Sequence, residues 1–199
     1  MLSTEARKSG VRVENRASFT ITPSAPFSGN EHYVPGMICF ADIPEPALKI
    51  HTDKYKRFGL AFPKTFLIAK GARPVYYVPH GAKTQPAAKW PEIGEDWDEL
   101  VPLFAEEVDP GLHGTTKSGE GPAKRIAEWV DFDFLAFVKF FDPTLPEDHV
   151  DNYYMEREWR SVCSIEFQIS DVACVYVAPG YGPPLATAHP DLASRVSEL

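Results

Sequence analysis

Cysteine is scarce: Cys39, Cys163 and Cys174 are the only three in 199 residues. An odd number at irregular spacing excludes a complete disulfide framework, and no CxxC pair suggests a metal site. Each lies in an apolar, strand-like run, so buried reduced thiols in a cytoplasmic protein are expected. Positive charge is also in deficit, with 20 Lys and Arg against 28 Asp and Glu. The basic footprint of a nucleic-acid binder is therefore missing. No apolar run nears the roughly 18 residues of a membrane span, and the charged stretch 1–17 lacks the apolar centre of a signal peptide. The six histidines form no HxxxH or HExxH pair, which leaves no local metal motif. No GxSxG elbow offers a serine nucleophile.

What is present suits a folded domain. Apolar residues make up 44% of the chain and aromatic residues 13%, enough for a core. The expected organisation is a flexible arm over 1–17 and a single domain over 18–199. The net charge of -8 concentrates in Glu92, Glu95, Asp96, Asp98, Glu99, Glu106, Glu107 and Asp109. No Lys or Arg lies among them. That run reads as a solvated helix face, or as a contact surface for a basic partner. Segment 109–122 holds four glycines and reads as a mobile loop. Within it, Gly111 to Ser118 imitates a phosphate-binding loop. Thr116 stands where the glycine before Lys117 is required, and no strand precedes it, so the mechanics of that motif fail.

Apolar periodicity predicts strands over 18–22, 37–41, 58–62, 74–78, 160–169 and 172–178. Helices are predicted over 45–55, 64–70, 96–107 and 123–141, with a last one over 190–199. Gly71 follows the second of these in the position that favours left-handed backbone. In the first, Leu48, His51 and Tyr55 share a face. This order of elements gives an α+β fold with a mixed or mostly antiparallel sheet.

Stretch 153–161, Tyr-Tyr-Met-Glu-Arg-Glu-Trp-Arg-Ser, carries the densest chemistry. From residue 160 onward the apolar residues fall mainly on odd numbers: Cys163, Ile165, Phe167 and Ile169. Extending that alternation backwards puts Tyr154, Glu156, Glu158 and Arg160 on the polar face and Met155 and Trp159 on the core face. Two carboxylates beside a guanidinium can split their pKa values and act on a substrate. The plainer alternative is a surface network in which Arg157 and Arg160 neutralise them, since exposed charged strands are common. His32, His51, Tyr55, Arg57 and Tyr76 are the groups placed to line a cleft with them.

Five blocks in order carry a family likeness: Met37-Ile38-Cys39-Phe40-Ala41-Asp42-Ile43-Pro44, His51, Tyr55-x-Arg57-Phe58-Gly59-Leu60-Ala61-Phe62-x-Lys64, Gly71-x-x-Pro74-Val75-Tyr76-Tyr77, and Tyr153-Tyr154-x-Glu156-Arg157-Glu158-Trp159-Arg160. Together they resemble the AbiGi family over residues 18–199. The resemblance implies an abortive-infection, phage-resistance protein on the antitoxin side of a two-gene toxin–antitoxin system. It implies a protein partner encoded by a neighbouring gene. The family usually has glycine after the tyrosine of the central block. This chain has Lys56, which reads against a tight backbone turn there. A second likeness is to the layout of ADP-ribosyltransferases, in which an E-x-E strand follows earlier His and Tyr positions. It implies NAD as cofactor, Glu158 as the catalytic carboxylate that stabilises a ribosyl cation, and Glu156 as its companion. The Ser-Thr-Ser strand motif of those enzymes is absent.

Overall fold

The computed structural model describes residues 11–15, 18–22, 24–26, 30–80, 130–149 and 151–199. The acidic run 92–109, the loop 109–122 and the helix expected over 96–107 lie outside them, as does the start of the helix expected over 123–141. Among the described residues the elements run β1 (Val11–Val13), β2 (Ser18–Ile21), β3 (Tyr33–Gly36), β4 (Ile38–Ala41), α1 (Leu48–Tyr55), β5 (Gly59–Ala61), α2 (Lys64–Ala69), β6 (Arg73–Pro74), β7 (Tyr76–Pro79), β8 (Val138–Phe141), β9 (Glu158–Ser161), β10 (Ile165–Phe167), β11 (Cys174–Val177), α3 (Gly182–Ala188) and β12 (Val196–Glu198).

The fold is α+β. Its strands form small sheets of two or three members, in the orders β1-β10, β2-β3, β4-β9-β6, β7-β8 and β12-β11-β5. Most pairings are antiparallel; β7 with β8 and β11 with β12 are parallel. Two apolar clusters anchor the sheets. One gathers Tyr33, Val78, Val130, Leu135, Val138 and Phe140. The other gathers Ile165, Phe167, Val172, Val175, Val177 and Leu192, with Ile38 and Phe40 of β4 packed against it. In β1, the stretch expected to be a free arm pairs with β10 through Val11, Arg12 and Val13.

Several local expectations change. Residues 138–141 form a strand rather than the end of a helix, preceded by a wide turn over Val130–Phe134 and a 3-10 turn over Leu135–Phe137. Val138 and Phe140 face the core while Lys139 and Phe141 are half-buried. A short apolar run satisfies either period, and here the parallel pairing with β7 decides it. The tail folds as a 3-10 helix, Pro190–Arg195, and then as β12 rather than as one helix. Residues 153–156 form a 3-10 turn, so the strand begins at Glu158 and breaks between Ser161 and Ile165. β5 is an exposed border strand rather than a core strand. The cysteines are not buried: Cys39 and Cys163 are exposed and Cys174 is half-buried, all three as free thiols.

Candidate functional site

Register places the site. In the antiparallel pair of β4 and β9, Cys39 lies opposite Arg160, Phe40 opposite Trp159 and Ala41 opposite Glu158. Partners across a sheet point to the same side. Glu158, Arg160 and Cys39 therefore share one face, while Phe40 and Trp159 share the other. Phe40 packs on the second apolar cluster. The charged face meets β8 and the turn before it. The face expected to be wet is thus the buried one: Glu156, Glu158 and Arg160 keep only 4%, 6% and 8% of their surface exposed.

Burial holds because every charge is met. Glu158 Oε1 accepts from Arg160 Nε at 2.8 Å, and Oε2 accepts from Arg160 at 3.2 Å and from Lys139 Nζ at 2.8 Å. Arg160 also donates to the carbonyls of Ala136 at 2.6 Å and Val138 at 3.2 Å. Glu156 Oε1 accepts from Lys54 Nζ at 3.0 Å and from the Tyr55 hydroxyl, and Oε2 accepts from Lys139 Nζ at 2.9 Å. Lys139 therefore bridges the two carboxylates. Three cations meet two carboxylates, and the Tyr153 ring lies under both ammonium groups, 4.2 Å from Lys54 and 4.4 Å from Lys139. Its π-face offers further partial negative charge to those cations.

The backbone fits the same purpose. Asn152 accepts the Tyr154 N–H and so starts the 3-10 turn, which ends at Arg157 in left-handed backbone with φ 45°. That reversal separates Glu156 from the strand and lets it reach α1. The Glu158 N–H donates to the Tyr77 hydroxyl at 2.7 Å, and its carbonyl accepts from Val75 N–H at 2.9 Å. α1, β7, β8 and β9 are thus tied at one junction.

Burial pushes the Glu158 carboxyl up, but Arg160 and Lys139 outweigh it and hold the group at about 2. Glu156 is likewise pushed up by burial and brought below its ordinary value by Tyr55, Lys139 and Lys54. Both are ionised at neutral pH. The Cys39 residue is exposed overall, yet loss of water around its thiol, together with the neighbouring Glu158, pushes it up to about 12. It is a poor thiolate nucleophile. Tyr55 and Tyr77 are both raised, first by burial. His51 is lowered by burial against the pull of Glu156, and its Nδ1 has no hydrogen-bond partner among the described residues.

Of the residues singled out by sequence, Glu156, Glu158, Arg160 and Tyr55 meet at the junction. The His51 ring meets the Tyr55 ring at a tilt of 44°, with centroids 4.7 Å apart, as their shared helix face requires. His32 instead bonds the Ala25 carbonyl at 2.7 Å. Tyr76 is 60% exposed, and it is the next residue, Tyr77, that reaches Glu158. Arg57 is exposed beyond the end of α1. Lys139, Lys54, Tyr77 and Tyr153 were missed. Lys139 had a signal, as the polar centre of a Val-Lys-Phe alternation; Lys54 had only its place beside Tyr55. Lys56 overturns the expectation that no tight turn stands there: its φ is 98° with ψ 168°, backbone that glycine adopts most readily.

The family described as "Putative abortive phage resistance protein AbiGi, antitoxin" matches residues 30–177. The chain belongs to the AbiGi family. The match takes in the whole junction, from α1 to β9. No curated protein and no solved structure matches the chain. Family membership puts it among abortive-infection proteins of the antitoxin type. Among the described residues no helix is long and apolar enough to cross a membrane.

Proposed function

We propose that this AbiGi protein is the antitoxin of a two-gene abortive-infection system and works in the cytoplasm by binding a protein partner encoded beside it. The observation that carries the reading is the family match across residues 30–177. The chemistry of the junction supports it. A catalytic carboxylate must keep an oxygen for substrate or for developing positive charge. Here all four carboxylate oxygens of Glu156 and Glu158 already accept hydrogen bonds from Lys54, Tyr55, Lys139 or Arg160. Groups matched in this way hold elements in place.

The NAD-using transferase reading draws support from the meeting of His51, Tyr55 and Glu156. It is opposed by Arg160 and Lys139, which already take both oxygens of the Glu158 carboxylate. The antitoxin reading is tested by expressing the neighbouring gene product in a bacterial host with and without this chain. The expected result is growth arrest by the neighbour alone, relief by the pair, and a complex that elutes as one species in gel filtration. Absence of both relief and complex overturns the reading. NAD consumption by the wild type, lost in a folded Glu158→Gln variant, would favour the transferase instead.

A further inference from the structure

β5 carries charge and apolar surface that the described chain leaves unmatched. Lys56 and Arg57 lead directly into it, both exposed. Neither has an ion-pair partner among the described residues, in contrast to Lys54 a few positions earlier. Phe58 is 59% exposed, Leu60 49% and Tyr181 59%. Phe58 and Tyr181 meet edge to face with centroids 5.3 Å apart. β5 pairs with β11 along one edge, and among the described residues its other edge has no strand beside it. A Cβ built on Gly59, the first residue of the strand, meets nothing within 4 Å, so the strand is open at its start as well. The chain enters β5 through Lys56 at φ 98°, a backbone conformation that costs free energy in a lysine and needs surrounding structure to hold it.

We propose that the free edge of β5 receives an extended, acidic segment of the partner protein, paired backbone to backbone. The inference rests on the antitoxin reading for its partner. An unpaired strand edge offers N–H and C=O groups that another strand satisfies, and pockets for alternate side chains then give specificity. Phe58 and Leu60, two residues apart, form the apolar seat on one side of the extended chain. Lys56 and Arg57 select charge: two adjacent cations without a counter-charge among the described residues repel each other until carboxylates arrive, and they steer an acidic chain towards the strand entrance. A second copy of this protein, itself acidic at net charge -8, is the competing occupant.

The probe is a fluorescein-labelled peptide of about ten residues alternating glutamate and valine, read by fluorescence anisotropy against the full chain. Controls are the lysine–valine peptide and the acidic peptide N-methylated at alternate residues, which cannot pair by its backbone. Saturable binding of the acidic peptide is expected, with none for the lysine peptide. Weakening of about tenfold or more is expected in Lys56→Glu/Arg57→Glu, and loss of binding on N-methylation. Both substituted residues are exposed, so the variant keeps its fold, to be checked by circular dichroism. No binding by the wild type, or equal binding by the variant or by the N-methylated peptide, overturns the proposal. So does sedimentation showing a dimer of the wild type that the double variant abolishes, because the edge then belongs to a second copy. Growth relief separates the two claims. Full relief by the double variant sinks the β5 proposal and leaves the antitoxin reading standing. No relief by the wild type, with peptide binding intact, sinks the antitoxin reading alone.

Discussion

The junction around β9 and the border strand β5 are built from similar side chains and treat them in opposite ways. At the junction, Lys54, Lys139 and Arg160 are matched by Glu156 and Glu158, and the carboxylates are almost wholly buried. At β5, Lys56 and Arg57 stay in water beside Phe58, Leu60 and Tyr181. Only one position separates Lys54 from Lys56, and α1 ends between them. The contrast shows that the presence of charge says little about role. A buried charge with all its hydrogen bonds made acts as framework, because removing any member strands the others. An exposed cation without a counter-charge costs the fold little and is available to another molecule.

The contrast can be broken most severely at Glu158. Glu158→Ala leaves Arg160 and one side of Lys139 without a carboxylate in a dry site, and should cost about 3–5 kcal/mol in urea unfolding. A loss under about 1 kcal/mol would mean that water replaces the carboxylate freely. The same network sets the response to acid. Glu158 has its pKa depressed on folding, so its contribution is fully present above the unfolded value near 4.5 and is lost as pH falls towards 2. Glu156 acts in the same direction. His51 adds to it from higher pH, since a histidine lowered on folding opposes the folded state once the unfolded chain takes up its proton. Stability should therefore fall steeply between about pH 5 and pH 2, and Glu158→Gln should flatten that fall. An unchanged profile in the variant would contradict the assignment.

Smaller effects sharpen the comparison. Tyr55→Phe removes one donor from Glu156 but leaves Lys54 and Lys139 in place, for a cost of about 1 kcal/mol. Lys56→Gly relieves positive-φ backbone and should stabilise by up to about 1 kcal/mol net of glycine's greater unfolded freedom. At β5, Lys56→Glu/Arg57→Glu should stay within about 0.5 kcal/mol of the wild type. A larger destabilisation there would show that these cations belong to the framework after all.

The sequence revealed the E-x-E stretch, the helix that pairs His51 with Tyr55, and the α+β class, because each depends on local spacing. It grouped Glu158 with Arg160, and Trp159 with the core side, but took the charged face of β9 as open to water when it is buried. Alternation tells which residues share a side, but not which side is dry. Charged residues were given to water by default, and the cations that make burial tolerable come from distant segments: Lys54 lies 102 positions from Glu156. The strand at Val138–Phe141 was hidden for a related reason, since its parallel partner β7 is also remote. Cys39 and Cys163 sit in apolar runs yet are exposed as residues: Cys163 falls in the bend between β9 and β10, and Cys39 keeps its thiol beside Glu158.

The central division is between a charged framework and a separate binding surface. Its most direct test is growth relief, against the neighbouring gene product, by a Glu158→Leu/Arg160→Met variant of confirmed fold. Apolar replacement of a buried ion pair is often tolerated where single removal is not. The division predicts relief equal to that of the wild type. Loss of relief in the folded variant would contradict it and return Glu158 to the chemistry of function.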